Sequence, residues 1–203
     1  MAEPISLNLE LWNDSHDSTK FNSGVHAIDK YIKEQVAREV RNAMSGVVVL
    51  TVKGQRVVRG YYSLSAISLD FQDLPNKLTK TLPRYPQIPA TLLGRLGVDV
   101  NFKKYLEEQE KEPPYLGEYL LNDAQVATVR AATSVGSALM LVDVLEPTSE
   151  DKANGARDPI GFYTKYGFQA LHANPRRLYK SVRTIAQEQE IAKKKAKVPE
   201  TSE

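Results

Sequence analysis

The run Ser-Ala-Leu-Met-Leu-Val-Asp-Val, from Ser137 to Val144, limits the fold more than any other segment. It is apolar at odd and even positions alike, the pattern of a strand covered on both faces, and such strands lie in sheets packed between helices. The neighbouring segments supply those layers. Ile28, Ile32, Val36, Val40 and Met44 recur every four residues, which predicts a helix over Val25–Met44. Asn22-Ser23-Gly24 provides turn and capping chemistry just ahead of it. A second helical pattern, Leu116, Leu120, Ala124 and Ala127, covers Tyr115–Ala132. Gly46–Lys53 and Arg56–Leu69 are β-rich and separated by Gly54-Gln55, which predicts a hairpin, with a bend expected near Gly60. Thr91–Val100 reads as a further strand, interrupted by Gly94-Arg95 and Gly97. Asp158-Pro159 signals a helix start and Gly167 its stop. Phe168–Leu171 and Arg177–Val182 read as short closing strands. A hairpin followed by strand–helix–strand crossovers gives an α/β fold with a mixed sheet.

Three segments read as irregular. Leu74–Pro89 holds four prolines, Asn101–Pro114 is charged and ends in Pro113-Pro114, and Glu146–Arg157 is polar. The second of these reads as an exposed, insertion-like loop. Residues 1–184 are therefore expected to form one domain, with 185–203 a polar, basic helix and tail.

Composition excludes several classes. With 203 residues, 41% hydrophobic and 26% charged, the chain is long enough for a sizeable core and is not disordered throughout. No run of about 18 apolar residues exists, which excludes a membrane-spanning helix. The absence of cysteine rules out disulfides, thiolate zinc sites and cysteine nucleophiles, and fits a cytoplasmic protein. A net charge of +2 means that any nucleic-acid contact must come from local basic clusters.

Four segments in order carry a family resemblance: Gly60-Tyr61-Tyr62-Ser63-Leu64-Ser65-Ala66, Leu92-Leu93-Gly94-Arg95-Leu96-Gly97-Val98-Asp99, Gly117-Glu118-Tyr119-Leu120-Leu121-Asn122-Asp123-Ala124, and Gly161-Phe162-Tyr163-Thr164-Lys165-Tyr166-Gly167-Phe168. Together they resemble the GNAT superfamily of N-acetyltransferases. Phe21-Asn22-Ser23-Gly24 with Ile28-Asp29, and Pro86-Gln87-Ile88-Pro89, resemble its branch of toxins from type II toxin–antitoxin systems. The resemblance runs from about Phe21 to Val182. It implies a GNAT fold: a central, mostly antiparallel mixed sheet with a splayed parallel strand pair, flanked by helices. It also implies acetyl-CoA as cofactor and no metal. The acetyl group would pass to a primary amine, the α-amino group of aminoacyl-tRNA in the toxin branch. A ribbon-helix-helix antitoxin is the partner that the resemblance implies, and a homodimer is compatible with it.

The same resemblance assigns residues. The backbones of Leu96 and Val98, with Gly97 between them, would face the cofactor, where a splayed strand leaves N–H groups free for pantetheine and for the thioester carbonyl. The helix opening at Leu116, Gly117 and Glu118 would meet the pyrophosphate. The family pattern there is Arg or Gln, two residues, Gly, one residue, then Gly or Ala. Here it becomes Glu112-Pro113-Pro114-Tyr115-Leu116-Gly117, and two prolines donate no N–H. That departure keeps open a catalytically impaired GNAT-fold binding or regulatory protein; the identity of the accepting amine separately keeps open a GNAT acting on a small-molecule or protein amine. Tyr163 is the expected catalytic acid, because a phenol can protonate a departing thiolate. Arg84 and Arg95 match family positions for tRNA phosphate contacts, while Arg176-Arg177 read as solvated charges. His16, His26 and His172 are scattered and read as surface or packing residues.

Overall fold

The computed structural model describes residues 5–109 and 115–197. Its centre is a sheet of seven strands in the order β1-β2-β3-β4-β5-β7-β6, among the described residues. The strands are β1 (Leu7–Leu11), β2 (Gly46–Val52), β3 (Gly60–Asp70), β4 (Gln87–Val98), β5 (Leu139–Asp143), β6 (Gln169–Leu171) and β7 (Asn174–Ser181). Every neighbouring pair is antiparallel except β4 and β5, which run parallel from Ala90 opposite Leu139 to Leu93 opposite Val142. That mixed α/β sheet is the predicted class. A crossover joins the parallel pair, built from helices α4 (Val100–Gln109) and α5 (Leu116–Val135).

Strand β5 is buried on both sides, as its composition requires. Met140 and Val142 face one core with Leu120, Leu121 and Ala124 of α5, Tyr163 and Leu178. Leu139 and Leu141 face another with Leu69, Leu78 and Ile88. Under the N-terminal helices a third cluster joins Phe21, Ile28, Tyr31 and Ile32 to Val47, Val49 and Tyr61.

The predicted Val25–Met44 helix is shorter and interrupted. It runs as α1 (His26–Lys30), a π-helical stretch (Tyr31–Gln35) and α2 (Val36–Arg41). A four-residue repeat overshoots the 3.6-residue turn, and the wider π stretch absorbs that excess. Ile28, Ile32 and Val36 therefore all stay buried, while Met44 lies beyond the helix and is 66% exposed.

Other expectations are corrected. The charged stretch from Asn101 does not form a loop: Val100–Gln109 is α4. Asp99 caps it through Oδ1, which accepts the Asn101 N–H at 3.1 Å, and Phe102 and Leu106 are buried in the main core. That i, i+4 pair is the apolar signal that the surrounding charges mask. Glu110 to Pro114, including the Glu112-Pro113-Pro114 departure, lies outside the described residues. In the polar Glu146–Arg157 segment sits α6 (Ser149–Ala153), held by a reciprocal capping box between Thr148 and Asp151. Strand β4 starts at Gln87, four residues early, and accommodates Pro89 opposite Ser68, just before the parallel pairing begins. Leu74–Pro89 also holds a short helix, α3 (Asn76–Thr79). β1 has no counterpart in the predicted elements, although Leu7, Leu9 and Leu11 alternate at strand spacing.

α7 (Ile160–Lys165) follows Asp158, whose Oδ1 accepts the Ile160 N–H at 3.1 Å, and stops at Gly167 with φ +83°. The final helix, α8 (Val182–Lys197), is anchored at its start by Ile185, which is buried in the main core. Buried Lys180 ties three elements together there: its Nζ donates to Glu188 of α8 at 2.6 Å, Gln125 of α5 at 3.2 Å, and the Tyr166 carbonyl at the end of α7 at 2.7 Å. Among the described residues no helix is long and apolar enough to cross a membrane.

Candidate active site

The site arises where the parallel pair separates. Pairing of β4 with β5 ends at Leu93 and Val142, but β4 continues to Val98 against β3 alone. Beyond the split, Val144 N–H donates to Arg176 O of β7, at 2.8 Å, and not to β4. The β3–β4 register jumps from Ser63 opposite Arg95 to Leu64 opposite Leu93, so Gly94 is the extra residue of a β-bulge. The irregularity therefore lies on β4 at Gly94, not near Gly60. A notch of about 300 Å³ opens between the free edge of β4 and the residues following β5.

Backbone direction supplies the chemistry of that edge. Asp99 N–H points to β3, where it donates to Arg59 O at 2.9 Å. Strand amides alternate in direction, so Gly97 N–H also points to β3 while those of Leu96 and Val98 point into the notch. Leu96, Gly97 and Val98 all line it. Gly97 has a packing role as well: a Cβ there would stand 2.5 Å from Ile28 Cγ2 and 3.4 Å from the Phe21 and Tyr61 rings. Its missing side chain lets α1 sit directly on β4, and Val25 and Ile28 of that layer form part of the notch wall. Asp29 braces the same layer by accepting from Ser23 N–H and Oγ, each at 2.7 Å.

Tyr163 of α7 lies on the notch wall and is 7% exposed. Its ring meets Phe162 and Phe168 edge-on, at centroid distances of 5.1 and 5.8 Å. Among the described residues its hydroxyl makes no hydrogen bond, yet it is not a sealed-off polar atom. Burial pushes the phenol well above its ordinary pKa of 10, so it keeps its proton throughout the physiological range.

Leu116, Gly117 and Glu118 form the first turn of α5, and Tyr115 caps it without a side-chain hydrogen bond. The first intrahelical bond is Tyr119 N–H to Tyr115 O at 2.9 Å, so the three amides ahead of it have no partner within the helix. These residues do not line the notch itself. They adjoin it through Phe162, a notch residue whose ring stands 3.6 Å from where a Gly117 Cβ would be.

The two arginines separate. Arg95 lines the notch, lies over the Tyr31 ring at 5.1 Å, and donates through Nη1 to Gly94 O at 2.8 Å, while its buried Nε has no partner among the described residues. Arg84 is exposed in the loop before β4. The strand from Gln87 to Gly94 alone spans ~23 Å, so the fold does not bring Arg84 to the notch. Arg176 and Arg177 are engaged in two-pronged pairs with Asp158 and Asp143, at 2.6–3.1 Å. Sequence reading missed two cations on the notch wall: Lys103 of α4, which lies 3.7 Å from Glu107, and Arg157, exposed in the loop ahead of α7. The only sequence signal for Arg157 was its place beside the Asp158-Pro159 helix start. None of the three histidines lines the notch; His26 lines a separate polar hollow beside it.

A mixed sheet with one parting parallel pair, a bulged central strand and a tyrosine helix across the gap defines the GNAT fold. No protein-family model matches the chain. It is similar to a protein named probable toxin TacT from Sinorhizobium fredii (strain NBRC 101917 / NGR234), with 28% identity over 91% of this chain and 92% of the relative. Its structure is similar to that of AtaT complexed with acetyl-methionyl-tRNAfMet, with a TM-score of 0.72, 25% identity, and coverage of 90% of this chain and 99% of the other. It also shares the fold of a Tyr-to-Phe mutant of the AtaT toxin bound to the C-terminus of the antitoxin AtaR and acetyl-CoA. There the TM-score is 0.66 and the identity 22%, over 90% of this chain and 98% of that one. The resemblance to GNAT-fold toxins read from the sequence is thus borne out.

Proposed function

We propose that the chain is an acetyl-CoA-dependent N-acetyltransferase toxin whose acceptor is the α-amino group of an aminoacyl-tRNA. The observation that carries this reading is the notch itself: an unpaired strand edge with a buried phenol on the facing wall that has no hydrogen-bond partner among the described residues. A flexible thioester arm fits such an edge as an added strand would.

The residues present suit acetyl-CoA. Amides of Leu96 and Val98 bind and orient the arm and its carbonyl, and the first-turn amides of Leu116, Gly117 and Glu118 face its pyrophosphate. Bound there, acetyl-CoA supplies an activated acetyl group. Tyr163 would hold a proton at Oη for the sulfur that leaves, and would regain the one that the attacking amine nitrogen loses as it becomes an amide. No side-chain base is needed, because an α-amine with a pKa near 8 is already substantially neutral. Arg95 and Arg157 supply positive charge at the notch for the 3′-terminal phosphates of the acceptor. The regulatory partner is an antitoxin, of the ribbon-helix-helix type implied by the sequence resemblance.

Saturating acetyl-CoA, at about 100 times its dissociation constant, is expected to raise unfolding stability by about 2.7 kcal/mol. Incubation with aminoacyl-tRNA is expected to yield N-acetyl-aminoacyl-tRNA by mass spectrometry. Absence of a thermal shift at millimolar acetyl-CoA would instead select a non-catalytic scaffold; modification of free amines alone would select a small-molecule or protein acceptor.

The pH dependence follows from the two titrating groups. kcat/KM is expected to rise as the acceptor amine loses its proton and to level off above pH ~8. Because burial raises the Tyr163 pKa, no alkaline decline is expected below pH ~10. A falling limb centred below that pH would contradict Tyr163 as the proton donor.

A further inference from the structure

A second tyrosine, Tyr166, stands just past the end of the helix that carries Tyr163. In the structure its hydroxyl donates to Glu118 Oε2 at 2.6 Å, joining the end of α7 to the first turn of α5. We propose that Tyr166 is a positioning residue for cofactor capture: it draws the Glu118 carboxylate sideways and leaves the first-turn amides of α5 to the cofactor's diphosphate. The inference rests on the acetyl-CoA reading above.

Glu118 is the third residue of α5. From that position a glutamate reaches back to the N-cap amide, and the helix dipole draws its negative charge the same way. Tyr115 places no side chain in competition, since it caps the helix without a side-chain hydrogen bond. A free Glu118 would therefore bond the Tyr115 amide and set a negative charge at the same end of the helix dipole, in competition with a diphosphate on the first-turn amides beside it. Tyr166 prevents this because its own place is fixed on three sides. Its carbonyl accepts from Lys180 Nζ at 2.7 Å, its ring meets Phe162 edge-on at 5.1 Å, and Lys165 Nζ lies 5.2 Å from the ring centre. Phe162 in turn rests against Gly117, so α7 and α5 meet both through packing and through the Tyr166–Glu118 bond.

The test compares two ligands by calorimetry on the full chain: acetyl-CoA, and S-acetyl-pantetheine, which lacks the diphosphate. Tyr166→Phe is expected to weaken acetyl-CoA binding about fivefold, the size of a charge effect at a helix end, and to leave S-acetyl-pantetheine unchanged. In turnover the change is expected in KM for acetyl-CoA and not in kcat. Glu118→Gln is expected to tighten acetyl-CoA, and adding Tyr166→Phe to that background is expected to have no further effect. Equal weakening of both ligands, an undiminished effect in the Glu118→Gln background, or no change at all would each overturn the proposal. A wild-type chain that binds neither ligand would overturn the acetyl-CoA reading first, and this inference with it.

Discussion

Tyr163→Phe is expected to lower acetyl-transfer turnover by about 10²- to 10⁴-fold, the range for loss of a positioned proton donor. Acetyl-CoA affinity should stay nearly constant, because the substitution removes one oxygen and leaves the ring packed against Phe162 and Phe168. Stability is expected to hold or rise slightly. The side chain lines the notch and its hydroxyl has no hydrogen-bond partner among the described residues, so its removal breaks no bond within the protein. This combination separates catalysis from structure. A tyrosine retained for packing would show little change in rate, whereas a proton donor loses turnover while the fold and the ligand affinity persist. Single-turnover rates with saturating acetyl-CoA, beside calorimetric affinities and thermal midpoints, make the comparison. Unchanged turnover would remove Tyr163 from the chemistry.

The parts of this fold that were legible in the sequence are those where one pattern dominates. The doubly buried β5, and α7 between Asp158 and Gly167, each have a periodicity or a terminus that no neighbouring signal opposes; the hairpin was legible as a strand pair, but residues 53–59 connect it and not the Gly54-Gln55 turn alone. The notch was legible only through the ordered family motifs, because the parting of two strands leaves no composition of its own. Gly94 hinted at the bulge, but its place opposite Ser63 and Leu64 depends on strand register, which is a tertiary property. α4 was hidden because Lys103, Lys104, Glu107 and Glu108 outnumber Phe102 and Leu106, the two side chains that bury it. α6 is five residues long, and its capping box holds more of it than any apolar stripe. Among the candidate phosphate contacts, sequence position could not separate the exposed Arg84 from Arg95 on the notch wall. Only the length of β4 between them does so. Arg157 and the Tyr166–Glu118 bond were invisible for a related reason: each depends on α7 lying beside a segment distant in the chain.

Gly97→Ala is expected to destabilise the protein by about 2–3 kcal/mol, a cost typical of overpacking in a closed core. The new methyl would stand 2.5 Å from Ile28 Cγ2, well inside van der Waals contact. Ile28 has little freedom to withdraw. Its carbonyl accepts from Tyr61 Oη at 2.7 Å, and its side chain lies in the cluster of Phe21, Tyr31 and Tyr61. Relief must therefore come from lifting α1 away from β4, and because Ile28 and Val25 also line the notch, acetyl-CoA affinity should fall together with stability. A double-mutant cycle identifies the clash directly. Ile28→Ala removes the Cγ2 methyl that the new side chain meets, and alone should cost about 2–4 kcal/mol through lost burial. Combined with Gly97→Ala it should cost at least ~1 kcal/mol less than the sum of the two, since the alanine methyl then occupies space that Ile28 has vacated. Strict additivity would mean that Gly97 is required for its backbone conformation. That outcome conflicts with the geometry, because its φ is not among the positive values found at Gly24, Gly54, Gly136, Gly155 and Gly167. Gly97, near the end of β4, is thus the contact that seats α1, and the notch inherits its shape from that seating.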